Sequence, residues 1–133
     1  MPSKSTVRKA KEDLREGKKP STAAGEFVKE EIDHVRHGKH GARSAKQAIA
    51  IGLNEARRAG IPLKPPRRGR TSEKTRKSAE SAYEKGQRGA KKPSRKRSQS
   101  RERALKREPR NTVSHKALSR QARSAARRRR SRP

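Results

Sequence analysis

Apolar side chains in this chain fall into short groups at helical spacing. Val7, Ala10 and Leu14 recur at i, i+3, i+7, which predicts a helix over Thr6 to Glu16 with Gly17 after its end. At about three turns it is marginal by itself. The run Lys18-Lys19-Pro20-Ser21-Thr22 breaks the pattern. Phe27, Val28, Ile32 and Val35 then form a second stripe. It predicts a helix from Ala23 to His37, capped by Ser21 or Thr22 and ended by Gly38. Ser44 and Gln47 stand at capping-box spacing. After them Ala45, Ala48, Ile49, Leu53 and Ala56 share one face beside Gly52, until Gly60 and Pro62 stop the helix. Small residues on that face let another helix approach closely. Residues 38–43 are too few to join the second and third helices as anything but antiparallel neighbours.

Beyond Ile61 the pattern changes. Pro62, Pro65 and Pro66 with Arg67, Arg68 and Arg70 make an extended basic linker. Ser72 to Lys85 reads as a polar helix, with Glu73 and Lys77 at i, i+4 and Tyr83 over Ala79. Residues 87–99 are low in complexity. Short helical signals return at 100–108 and 114–130, where mutual repulsion is expected to keep the free chain mostly unfolded. The expected division is an N-terminal arm over 1–22, a hairpin over 23–61, and a tail over 62–133 with transient helices near 72–85, 100–108 and 114–130.

Composition points the same way. Leu, Ile, Val and Phe number 14 of 133 residues. Ordering a residue costs roughly 1–2 kcal/mol of backbone entropy, and a large buried side chain returns roughly 1.5–3 kcal/mol. So few large apolar groups, with a net charge of +28, place the chain in the disordered class. The expected fold is mostly α: a small helix-loop-helix hairpin with a long, largely disordered basic tail containing nascent helices.

Charge then sets the partner class. Residues 62–133 hold 27 of the 41 Lys and Arg but only 5 of the 13 Asp and Glu. Such a field attracts polyanions, of which nucleic acid is the most abundant in a cell. Lys and Arg neutralise phosphates and release condensed counterions, and Arg, the commoner here, contacts phosphate bidentately. The candidate binding residues are Arg67, Arg68, Arg70, Lys91, Lys92, Arg95, Lys96, Arg97, Lys106, Arg107, Arg120, Arg123, Arg127, Arg128, Arg129 and Arg130. A tail that only solubilises would not need an excess of one sign.

Base readout has little to work with. Phe27 and Tyr83 are the sole aromatics, too few for the stacking platforms of single-strand binders. Lys46, Asn54, Glu55, Arg57 and Arg58 on the third helix make a thin set for reading a duplex. The rival function is a protein-interaction module, or a homodimer contact, using Phe27, Val28, Ile32, Val35, Ile49 and Leu53. Structured RNA is the other alternative, since phosphate contacts serve either nucleic acid.

His34, His37 and His40 are spaced by three, after Glu30, Glu31 and Asp33. A metal is one reading. The plainer one has His37 and His40 at a helix C-terminus, favoured by its dipole, and Glu30–His34 as an ordinary helical pair. No metal or cofactor is expected, and no enzyme: no serine has a paired His and Asp, and no Gly-rich phosphate loop follows a strand. There is no cysteine and no apolar run of ten residues, which excludes disulfides, a membrane span and a secretory core. A cytoplasmic protein without a small-molecule substrate is expected, nucleoid-associated if it binds DNA. Phosphorylation around Ser98 and Ser100 would reduce the charge, but is not expected.

The block GEFVKEEIDHVRHGKHGARSAKQAIAIGLNEARRAG, residues 25–60, resembles a family of small Lys/Arg-rich bacterial proteins of uncharacterised function. Gln47 to Gly60 is its most specific part, and the likeness extends over residues 1–86. Members carry labels such as DNA-binding or plasmid-stabilisation protein. The resemblance implies a nucleic-acid role in a bacterial cytoplasm and supplies no catalytic motif.

Overall fold

The computed structural model describes residues 2–89 and 94–131. They contain six helices: α1 Lys4–Arg15, α2 Pro20–Arg36, α3 Ala45–Arg58, α4 Glu73–Gln87, α5 Arg95–Lys106 and α6 His115–Arg130. The expectation of a long, intrinsically disordered tail is therefore corrected. Most of the described C-terminal half is helical, and part of it belongs to the core.

Serine caps explain where five of the helices begin. Ser3, Ser44, Ser72, Ser94 and Ser114 each accept a hydrogen bond from the backbone N–H three residues on, satisfying a donor the helix leaves open. For α3 the partner N–H is that of Gln47, whose side chain reaches back to the Arg43 N–H, one residue ahead of the usual capping-box partner. α2 differs from expectation. It starts at Pro20, and Lys19 is its cap with no side-chain bond. Proline at the first helical position has no N–H to leave unpaired and has its φ already set, so the residue read as a breaker begins the helix.

α2 and α3 pack against each other, with α1 on α2 and α4 on α3. One core cluster holds Ala10, Ala23, Ala24, Phe27, Ala56 and Ile61, flanked by Val7, Leu14 and Leu53. α1 is further tied down by Glu30 on α2, which accepts from the Ser3 N–H at 3.0 Å and the Thr6 hydroxyl at 2.6 Å. A second cluster holds Val35, Ala42, Ala45, Ala48 and Val113, with Ile32 and Leu118 against it.

Val113 is 0% exposed, and this one residue carries the correction. The segment leading into α6 is anchored on the α2–α3 loop. The Gly41 N–H donates to the Leu105 carbonyl at 2.8 Å and the Ala42 N–H to that of Pro109 at 2.9 Å. Thr112 Oγ1 donates to the Ala42 carbonyl, Arg36 Nε to that of Val113 and Arg110 Nε to that of Gly38. The basic linker after α3 is also held: Arg57, 5% exposed, donates to the carbonyls of Leu63 and Lys64 and to Asn54 Oδ1.

Three glycines mark where backbones touch. A Cβ on Gly52 would lie 2.7 Å from Val28 Cα, one on Gly86 would overlap the Arg57 carbonyl, and one on Gly41 would overlap that of Glu108. Gly25, in α2, faces open space. Gly86→Ala should therefore destabilise the chain by about 1–3 kcal/mol, the cost of overpacking, because backbone atoms cannot swing aside. Gly25→Ala should stabilise it by up to about 1 kcal/mol through helix propensity. Urea unfolding of the full chain followed by circular dichroism checks both. Equal effects of the two substitutions would refute the α3–α4 contact.

Candidate nucleic-acid interface

Helix α6 has seven Lys/Arg and no carboxylate. Its sequence decides which side they take. Lys116, Arg120, Arg123, Arg127 and Arg130 are separated by steps of four and three, so they run along one face. All five are exposed, whereas Ala117, Leu118, Gln121 and Ala125 on the other side are half-buried. The row is about 21 Å long at 1.5 Å rise per residue. Arg127 to Arg130 occupy the last turn, where cationic side chains meet the negative end of the helix dipole. That attraction offsets part of the repulsion among them. Arg128 and Arg129 are exposed but lie off the row.

The remaining basic residues are more dispersed. Arg67, Arg68 and Arg70 are exposed in the α3–α4 connection. Arg68 borders a shallow groove with Arg76, Lys77 and Glu80. In α4, Arg76 bridges Glu73 and Glu80, each at 2.9 Å, in place of the expected Glu73–Lys77 pairing. Arg95, Lys96 and Arg97 are exposed in the first turn of α5. Lys106 lies 3.7 Å from Glu102, and Arg107 is the C-cap of α5. Lys91 and Lys92 lie outside the described residues.

Two groupings were not legible as sites in the sequence. Arg58 on α3 has its pKa lowered, first by burial and then by the charges of Arg101 and Arg97, with Glu55 acting the other way. α3 and α5 thus bring three guanidinium groups into one field. Separately, a cleft between the start of α3 and α6 is lined by Arg43, Lys46, Asn111, Thr112 and Arg120. Lys116 was missed as well, although its spacing to Arg120 and Arg123 would have found it.

The residues proposed for a hairpin surface are largely used inside the chain. Phe27 and Val35 are each 1% exposed, and Val28, Ile32, Ile49 and Leu53 are half-buried. The thin base-reading set on α3 is reduced further, since Arg57 is buried and Asn54 accepts its hydrogen bond.

The histidines separate. His37 is exposed as the C-cap of α2. His34 and His40 instead converge on Glu31, which is 3% exposed. His40 Nε2 lies 2.9 Å and His34 Nδ1 3.8 Å from the Glu31 carboxylate. The two rings meet edge to face with centroids 5.7 Å apart. Glu55 on α3 adds a second carboxyl. Burial and the neighbouring Glu31 charge push its pKa up to about 7, and its protonated form hydrogen-bonds to Glu31. Burial also raises the Glu31 pKa, an effect reduced by the Glu55 hydrogen bond. His34 is pushed below its ordinary value, chiefly by burial.

Comparison with protein-family models, curated proteins and solved structures finds no match to the chain.

A carboxyl that ionises near 4.5 when unfolded and near 7 when folded binds its proton more tightly in the folded state between those values. Its contribution to stability is therefore full below about pH 4.5 and is lost as pH rises to about 7. His34 works in the opposite sense below its ordinary 6.5, so the Glu55 effect is read as a difference. Glu55→Gln keeps the hydrogen-bond donor and cannot ionise. Its stability advantage over the native chain should grow from pH 4.5 to pH 7 and level off above, in urea unfolding with EDTA present. A difference that is flat across that range would contradict the burial of Glu55 beside Glu31.

Proposed function

We propose that this chain is a non-enzymatic, sequence-tolerant nucleic-acid binder, with DNA ahead of RNA, that grips the phosphate backbone with folded helices. The observation that carries the reading is the exposed row Lys116, Arg120, Arg123, Arg127 and Arg130 on α6. A row of that length and single sign, without a carboxylate on its helix, matches a surface whose charges repeat every few ångströms. Duplex DNA carries about one phosphate per 1.7 Å of axis. The Arg58–Arg97–Arg101 field and the cleft by Arg43 and Lys46 extend the basic surface.

Sequence tolerance follows from what is lacking. Phe27 is buried and Tyr83 half-buried, so no aromatic pair offers a stacking surface, and phosphate contacts alone carry no base information. The alternative of a partner docking on Phe27 and Val35 has less support, because both are covered by the chain itself.

The test uses the full chain, since residues 105–113 pack on the α2–α3 loop and halves of the molecule would expose cores. Each phosphate neutralised on duplex DNA contributes about −0.9 to the slope of log K against log salt. Changing the five residues of the α6 row to Gln should make that slope shallower by about 4–5, with equal effect on scrambled sequences. Five Gln substitutions at exposed α1 and α2 positions (Lys4, Lys9, Lys11, Arg15 and Lys29) should change it much less. Equal effects of the two sets would sink the α6 reading. Tighter binding to a structured RNA than to duplex DNA at matched salt would reassign the ligand.

A further inference from the structure

We infer that Glu31, His34 and His40 form a binding site for one zinc-class divalent cation at the junction of α2 and the α2–α3 loop. The placement begins with sequence. Glu31 and His34 stand at i, i+3 on the last turns of α2, so their side chains share a face. Gly38 then turns the chain with φ of 76°, a conformation that favours glycine. The turn returns His40 to the same point, only 9% exposed at its side chain.

The donor geometry is that of a ligand set. The candidate ligand atoms of the three residues all lie within 4.8 Å of one another. Tetrahedral donors about 2.0–2.2 Å from a zinc ion stand roughly 3.3 Å apart. His40 Nε2 lies 2.9 Å from Glu31 Oε1 and His34 Nδ1 3.8 Å from Glu31 Oε2, on either side of that value. His40 is also oriented as metal-binding histidines are. Its Nδ1 lies 2.8 Å from the Gly41 carbonyl, which only accepts, so Nδ1 carries a proton. Nε2 is left to face the Glu31 carboxylate. In the neutral ring two lone pairs would then oppose each other, and a cation between them removes the conflict. An outer hydrogen bond from the second ring nitrogen to a carbonyl is the usual support of a ligating imidazole.

The chemistry selects the ion. Two imidazoles and a carboxylate suit zinc and its transition-metal neighbours, whereas magnesium and calcium prefer oxygen donors. A fourth position is open to water. Glu55 on α3 adds a neighbouring carboxyl to Glu31. Lys39, an exposed loop residue, and the chain's N-terminal amino group are basic groups whose charges reach both Glu31 and His34. The consequence reaches beyond the site. Gly38, Gly41 and Ala42 form the seat for residues 105–112, so a bound ion would fasten the loop that supports the approach to α6.

The test is calorimetric titration of the EDTA-stripped, desalted full chain with zinc chloride in excess magnesium, together with the absorption spectrum of the cobalt(II)-loaded chain. One site per chain and tetrahedral cobalt bands are expected. His34→Ala, at a half-buried position, and His40→Ala should each weaken zinc binding by more than the roughly 10–100-fold that loss of an outer-shell partner costs. His37→Ala and His115→Ala, both at exposed positions, should leave it unchanged. Circular dichroism checks that His34→Ala folds, as expected at a half-buried position, which keeps the test decisive if His40→Ala does not. Zinc binding that survives His34→Ala, or that falls equally with His37→Ala, would overturn the site. So would the absence of stoichiometric binding, which would leave His40 and Glu31 as a simple ion pair.

Discussion

The structure depends on how closely its helices approach. Nine of the thirteen buried hydrophobic residues are alanines among the described residues, and at Gly52 and Gly86 there is no room for even a methyl group. An alanine buries little area, so each contributes little to the transfer of apolar surface from water. What it permits is contact between backbones, where dispersion accumulates over many atom pairs. α4 illustrates this. It carries no Leu, Ile, Val or Phe, yet it packs on α3 with Ala79 and Ala82 buried and Gly86 against the Arg57 carbonyl.

That constraint explains which parts of the fold were legible. The stripes Val7–Ala10–Leu14 and Phe27–Val28–Ile32–Val35 and the Ser44 cap could be read because large side chains recur at helical spacing or a hydroxyl sits at a boundary. The expectation of a disordered C-terminal half rested on counting Leu, Ile, Val and Phe. The count was correct, but it omitted alanine and assumed that charge keeps helices apart. Val113 shows the remaining limit. It is a lone apolar residue among Arg110, Asn111, Thr112 and Ser114, with no periodicity to mark it, and its importance comes from a loop some 70 residues earlier in the chain. Arg57 is a similar case: a charge in the last turn of a helix reads as solvated until the linker carbonyls of Leu63 and Lys64 close over it.

The sites divide along the same line. The basic surface was legible as a quantity of charge, and the α6 row adds direction to it, since steps of four and three are visible once the segment is known to be helical. The Glu31–His34–His40 group was only half legible. Equal spacing suggested His34, His37 and His40 together, but an α-helix ending at Arg36 turns His37 outward, and only the reversal at Gly38 returns His40. Glu55 could not have been assigned to that group, because its position beside Glu31 follows from the packing of α2 on α3.

A net charge of +28 opposes compaction, and the fold manages it by location. The buried ionic groups are matched internally: Asp13 by Lys18, Glu31 by the histidines and Glu55, and Arg57 by carbonyls. A large share of the excess lies on the exposed faces of α5 and α6, with further exposed charge on α1 and in the α3–α4 connection. A disordered basic tail would have to order itself on meeting a polyanion and would lose affinity to that entropy. α6 is already helical and is seated through Val113 and Leu118, so the row from Lys116 to Arg130 holds its spacing before any partner arrives. Under the nucleic-acid reading, that preorganisation lowers the cost of binding. It also links the two halves of the molecule, because the seat of α6 is the same α2–α3 loop that carries His40.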